Sequence, residues 1–218
     1  MHVEGQAMRT IWPAAGCDAV HLIDQRALPH RLTTVRVATV AEMRRAIAEM
    51  WLRGAPLIGA AAAYGMALQA SRDACDAALA EAAETLRSAR PTAVNLAWAL
   101  QRMAARLGAL PPEQRAAAAW REAAAICDED VQVNTAIGAH GLPLLRAIAA
   151  ARPGPVRVLT HCNAGWLATV DRGTATAPIY AALEAGLPLH VWVDETRPRN
   201  QGAALTAWEL GHAGVPHT

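Results

Sequence analysis

The residues best equipped for chemistry lie in VLTHCNAGWLAT, Val158 to Thr169, where a β-branched and apolar run leads straight into His161-Cys162-Asn163. A thiol in a polar loop between a strand end and a helix can meet backbone N–H groups that favour a thiolate or a bound anion. Free cysteine is also commonly a small buried hydrophobe, so residue type leaves both roles open. Neighbours on an extended chain point to opposite faces, so His161 is expected to be a structural hydrogen-bonding residue and not the base for Cys162.

A second polar cluster begins at Asp194-Glu195. An acid at a strand end suits the ribose of a dinucleotide, but HCNAGWLAT lacks the G-x-G-x-x-G that such a cofactor needs. No nicotinamide cofactor is expected, and Asp194 and Glu195 are expected to hold Arg197. Further upstream, Arg53-Gly54-Ala55-Pro56 joins two helical patterns. Gly54 permits close backbone approach, Pro56 suits a first helical turn, and Arg53 offers a fork for phosphate. A helix–helix turn with a solvated arginine accounts for RGAP equally well, and the same holds for Arg90 in ARPTAVN. Cys17, Cys75, Cys127 and Cys162 are scattered without a C-x-x-C pair. That spacing gives no structural zinc site and reads as reduced thiols in a cytoplasmic protein.

These residues have to be positioned by a chain of 218 residues, 53% hydrophobic and 18% charged, which is a globular composition. Twenty basic and nineteen acidic residues leave a net charge of +1, which supplies no field for a polyanion and argues against nucleic acid as a partner. The most apolar stretch, Gly54 to Ala70, is Gly/Ala-rich and carries Pro56; it suits a tightly packed internal helix and not a membrane span. MHVEGQAMRTIWPAAG has no apolar core of a secretory leader.

Short β-like runs, TIWP, AVHLID and TTVRVAT, are followed by a capping box at Thr39-Val-Ala-Glu42 that opens a helix through Met50. Helical patterns then cover Leu57–Ser71, Asp73–Ala89, Val94–Leu107, Glu113 to about Ile137, and Leu142–Ala151. After ARPGPV the pattern alternates: strand Val156–Thr160, helix Thr174–Ala185, strand Leu189–Val193, helix Gln201–His212, and a strand entry at Gly214. The expected fold is α/β. A small β-sheet with a helical bundle occupies residues 1–150, and the first part of a Rossmann-like parallel α/β domain occupies 151–218. Ligands of such sheets gather at the carboxyl ends of the strands, where HCNAG and DETRP both fall.

Five segments together resemble the methylthioribose-1-phosphate isomerase family: LIDQRALP, MWLRGAPLIGAAAAYGMAL, ARPTAVNLAWAL, VLTHCNAGWLATVDRGTA and WVDETRPRNQGAALTAWEL. They span nearly the whole chain in the family's order. The fold is shared with regulatory subunits of the eukaryotic initiation-factor nucleotide exchanger and with ribose-1,5-bisphosphate isomerase.

The resemblance implies a cofactor-free, metal-free aldose–ketose interconversion of 5-methylthioribose 1-phosphate and 5-methylthioribulose 1-phosphate in methionine salvage. It makes Cys162 the catalytic cysteine and places Arg53, Gly54 and Ala55 on the phosphate- and sugar-binding loop. Arg90 and Gln201 become substrate-binding residues, and the partners are a small phosphorylated sugar and a second copy in a homodimer. The family's second catalytic residue, an aspartate in a later Asp-Asn segment, is expected beyond Thr218, so the 218 residues alone are expected to be inactive. Two rivals share the fold. A ribose-1,5-bisphosphate isomerase would want a second basic cluster near HCNAG, and none is present. A non-catalytic sugar-phosphate- or nucleotide-sensing subunit would need no thiol at Cys162.

Overall fold

The computed structural model describes residues 1–3 and 5–218. A short antiparallel ribbon, β1 (His2–Val3) and β2 (Gln6–Ala7), opens the chain. Strands β3 (Ile11–Pro13), β4 (Val20–Ile23) and β5 (Thr34–Val37) form an antiparallel meander in that order. These are the three runs expected from their β-branched content. Helix α1 (Val40–Ala48) starts at the anticipated capping box: Thr39 Oγ1 accepts from Glu42 N (3.1 Å), while the Glu42 carboxylate accepts from Thr39 N (3.1 Å) and Ala38 N (2.8 Å). Then come α2 (Ala55–Arg72), α3 (Asp76–Arg87), α4 (Val94–Gly108) and α5 (Pro112–Ala151). Strands β6 (Val156–His161) and β7 (Leu189–Asp194) flank α6 (Ala177–Glu184), and α7 (Ala207–His212) follows.

The chain divides into two compact units. One contains Ile11–Arg26 and Leu32–Glu129; the other contains Met1–Thr10, Ala27–Arg31 and Asp130–Thr218. In the first, α2 is buried over most of its surface, because Gly or Ala at eight of its thirteen buried positions lets α1, α3 and α4 close around it. A Cβ on Gly59 would lie 3.1 Å from the Asn95 carbonyl oxygen, so the first turns of α2 and α4 meet backbone to backbone. Among the described residues no helix is long and apolar enough to cross a membrane.

In the second unit β6 and β7 pair in parallel, from Val156↔Leu189 to His161↔Asp194. The segment after Gly214 begins a third parallel line beside β7: Thr218 N donates to Val191 O and Val193 N to Thr218 O. Strand alternation puts Arg157, Leu159 and His161 on one face, in register with His190, Trp192 and Asp194. Leu159 and Trp192 are exposed there, while Val156, Thr160, Leu189 and Val191 are buried.

Two elements differ from expectation. The two helices anticipated around the Gly138–Pro143 stretch are one 40-residue helix with Pro143 inside it. Proline removes one intrahelical bond, but tertiary packing overrides this. Gly138 and Gly141 are seated against the start of α6, where a Cβ would come within 3.0 Å of Ala177 O and 2.5 Å of Pro178 Cγ. The second difference is a π-helical turn at Gly202–Thr206 in place of a straight helix from Gln201. The wider turn re-aims Thr206 and Glu209 toward the end of β6, and such turns recur at functional sites.

Candidate active site

Cys162 is the first residue past β6. Its N–H donates to Asp194 O (3.2 Å), which extends the parallel ladder by one bond, and its backbone then turns left-handed at φ +62°. A non-glycine residue holds that conformation at a cost, so the surroundings must impose it. Thr206 Oγ1 donates to Cys162 O at 2.6 Å, and the half-buried Cys162 Sγ donates to Gln201 Oε1 at 3.3 Å. The fold therefore brings together two residues singled out from the sequence, Cys162 and Gln201, through a π-helical turn the sequence did not suggest.

Beneath the loop lies a group that sequence reasoning missed. Glu209 of α7 is fully buried and takes four hydrogen bonds: Asn163 Nδ2 (2.8 Å) and Leu167 N (2.9 Å) on Oε1, Trp166 N (3.1 Å) and Tyr180 Oη (3.1 Å) on Oε2. Burial pushes its carboxyl up to about 7, although all four donors pull the other way. Burial, with Glu209 beside it, also holds Tyr180 as a neutral phenol. Asn163 Nδ2 additionally reaches Thr206 Oγ1 at 3.2 Å, which ties the two halves of the network together. The signal was present in LTAWEL: helical spacing puts Glu209 on the face of Leu205, an acid on an apolar stripe.

His161 behaves as the structural hydrogen-bonding residue expected of it. Its Nδ1 lies 2.9 Å from Asp194 Oδ2 and its Nε2 lies 3.2 Å from Thr196 Oγ1. The expected grip of Asp194 and Glu195 on Arg197 is corrected. His161, and then the Glu195 N–H, hold Asp194 below its usual range. Glu195 sits below its usual range despite some burial because Ala203, Gly202 and Thr196 N–H groups donate to it. Arg197 reaches Glu195 only through its field. The physical reason is local: amide donors at the opening of the π turn are nearer and fixed, while an arginine fork must be ordered from solvent.

Arg53, Gly54, Ala55 and Arg90 lie in the other compact unit. Gly54 is left-handed at φ 101°, a value that favours glycine, and it caps α2 with Pro56 in the first turn. Arg90 opens a turn closed by Ala93 N donating to its carbonyl (3.0 Å), immediately before α4. Because Gly59 abuts Asn95, the two arginine-bearing helix starts stand at the same end of the α2–α4 pair. Each helix start carries the positive end of its helix dipole. No group of three His, Cys, Asp or Glu side chains among the described residues could hold a metal ion.

Residues 52–218 match the profile of the Initiation factor 2 subunit family. The chain belongs to that family. Over its whole length it is 58% identical to a methylthioribose-1-phosphate isomerase from Rhodospirillum rubrum and 61% identical to one from Cereibacter sphaeroides. It spans only 57% and 59% of those relatives' own lengths. Among solved structures, 5-methylthioribose 1-phosphate isomerase from Pyrococcus horikoshii superimposes with a TM-score of 0.87 at 36% identity. That match covers 98% of this chain and 60% of the other. The translation initiation factor eIF-2B subunit delta from A. fulgidus gives a TM-score of 0.83 at 39% identity, covering 97% and 62%. The mixed α/β architecture expected from the sequence is the fold these neighbours share.

Proposed function

We propose that this family member is an aldose–ketose isomerase that converts 5-methylthioribose 1-phosphate into 5-methylthioribulose 1-phosphate. The observation that carries the reading is Cys162, a thiol held at a strand's carboxyl end against Gln201 in a conformation that costs free energy. A regulatory subunit of the same fold has no use for that arrangement. Whole-chain identity of 56–61% to proteins named as methylthioribose-1-phosphate isomerases supports it.

In this reading the anomeric phosphate blocks ordinary ring opening, so the C1–O4 bond breaks with protonation of O4. Hydrogen then leaves C2 and reaches C1, C2–OH becomes the ketone, and the hydroxyl proton returns to the site. Cys162 is the thiol of that proton traffic, on one side of the sugar. Arg53, Gly54 and Ala55 take the phosphate and sugar hydroxyls, Arg90 adds a second cationic contact, and Gln201 binds the sugar beside the thiol. A carboxylic acid on the opposite side of the sugar is its partner in that traffic. The protein works in the cytoplasm as a homodimer, with the thiol and Gln201 on its Rossmann-like α/β part.

The test is a turnover assay on the chain continued by the C-terminal part of the Rhodospirillum rubrum relative, with ketose formation as the readout. Cys162→Ser should lower kcat by several orders of magnitude while substrate affinity stays within about tenfold. Arg53→Ala and Arg90→Ala should each cost roughly 1.5–3 kcal/mol in binding a phosphorylated inhibitor, and far less for the dephosphorylated sugar. Turnover that survives Cys162→Ser would overturn the reading.

A further inference from the structure

The proposed mechanism gives Glu209 no task, yet the protein sustains an unusual arrangement around it. A carboxylate removed from water with no cation to pair is expensive, and an apolar residue of similar size would suit a packed core better. Here four neutral donors converge on it, three of them from the six residues that follow His161. The fit is close: a Cβ on Gly165 would stand 1.7 Å from Glu209 Oε2, so the loop can wrap the carboxylate only because residue 165 lacks a side chain.

The same helical segment grips the loop at its reactive end. Gln201, Thr206 and Glu209 are successive contacts along one face: Gln201 to Cys162 Sγ, Thr206 to Cys162 O and Asn163 Nδ2, Glu209 to Asn163 Nδ2 and the amides beyond. Asn163 links the carboxylate to the residue next to the thiol. The left-handed turn at Cys162 needs such over-determination to persist.

We infer that Glu209 is a positioning residue for Cys162: it fixes the loop 163–167 as a buried acceptor and thereby sets the direction and accessibility of the thiol. This inference rests on the isomerase reading for its consequence in turnover, but not for its consequence in thiol reactivity. The test is therefore made on two readouts in the full chain. Glu209→Gln keeps the shape and reverses one end of the group, which presents an N–H donor where a carboxylate oxygen now accepts. Cys162 should then react with iodoacetamide at least threefold faster, measured by peptide mass mapping, with the exposed Cys17 and Cys75 as unchanged internal controls. The value of kcat should fall tenfold or more while KM stays within about threefold. Tyr180→Phe removes one donor from Oε2 without touching the loop, and should move Cys162 labelling in the same direction by a smaller factor. A folded Glu209→Gln protein with unchanged Cys162 labelling would overturn the inference, and so would unchanged labelling in Tyr180→Phe should Glu209→Gln fail to fold. Absence of turnover in the unsubstituted protein would sink the isomerase reading alone, because the labelling arm does not depend on it.

Discussion

The surroundings of α2 and the surroundings of Glu209 solve the same problem with opposite chemistry. Around α2, precision comes from small side chains: alanine and glycine let helices approach until apolar tips and backbones meet, and nothing directional fixes the result. Around Glu209, precision comes from directed donors on a single buried acceptor. The first design tolerates small shifts because dispersion contacts are many and individually weak. The second does not, because each lost partner leaves a desolvated polar group. That difference teaches where a thiol is best mounted: on the part of the fold that cannot drift.

The largest effect should come from Gly165→Ala. The backbone at Gly165 (φ −89°, ψ −167°) accepts any residue, so the whole penalty is steric, a methyl group forced into the Glu209 carboxylate. Loss of the buried network should cost roughly 3 kcal/mol or more, read as a fall in the denaturant midpoint. Stability near that of the unsubstituted protein would break the contrast at its strong end.

Next in size is a dependence on pH. The Glu209 carboxyl rises from 4.5 to about 7 on folding, so the folded state holds its proton more tightly than the unfolded chain does. Its contribution is fully present below pH 4.5 and is lost as pH rises through about 7, with a limiting slope of ~1.4 kcal/mol per pH unit between. The titratable group that faces it is Tyr180 from α6, neutral throughout that window, with Asp171 acting on Tyr180 in turn. Of the four partners only the Tyr180 hydroxyl can reverse and accept a proton held on Oε2. The difference in stability between the unsubstituted protein and Glu209→Gln, followed from pH 4.5 to 7.5, should therefore change with that sign. A flat difference would show the carboxylate titrating as it does in water.

The smallest effect sharpens the other side of the comparison. A Cβ at Gly65 would lie 2.9 Å from Leu86 Cδ1, the end of a side chain that can move aside, and 3.3 Å from Met43 Cγ, where a shift of a few tenths of an ångström is enough. Alanine also gains about 1 kcal/mol of helix propensity over glycine. Gly65→Ala should thus leave stability within about 1 kcal/mol, as a Tm shift of a few degrees. A loss as large as that of Gly165→Ala would show the apolar bundle to be as unforgiving as the polar loop.

The sequence by itself determined the local elements and the reactive candidate. The capping box at Thr39 and Glu42, the three short strands, the Gly/Ala helix after RGAP and the βαβ alternation after Pro155 all follow from spacing and side-chain type. Those are interactions between residues a few positions apart. Cys162 stood out because strand and motif end together at one residue. Tertiary structure decided what distance along the chain conceals. Pro143 lies inside a continuous helix because Gly138 and Gly141 press against α6. Asp194 turns to His161, 33 residues away, and Glu195 to the amides of Gly202 and Ala203 in place of Arg197. Above all, Glu209 becomes a hydrogen-bonded acceptor under the Cys162 loop only once α7 is packed against the loop that follows β6. A lone acid in LTAWEL carries no record of its donors, since those amides converge only after parallel pairing and the π turn have set their directions.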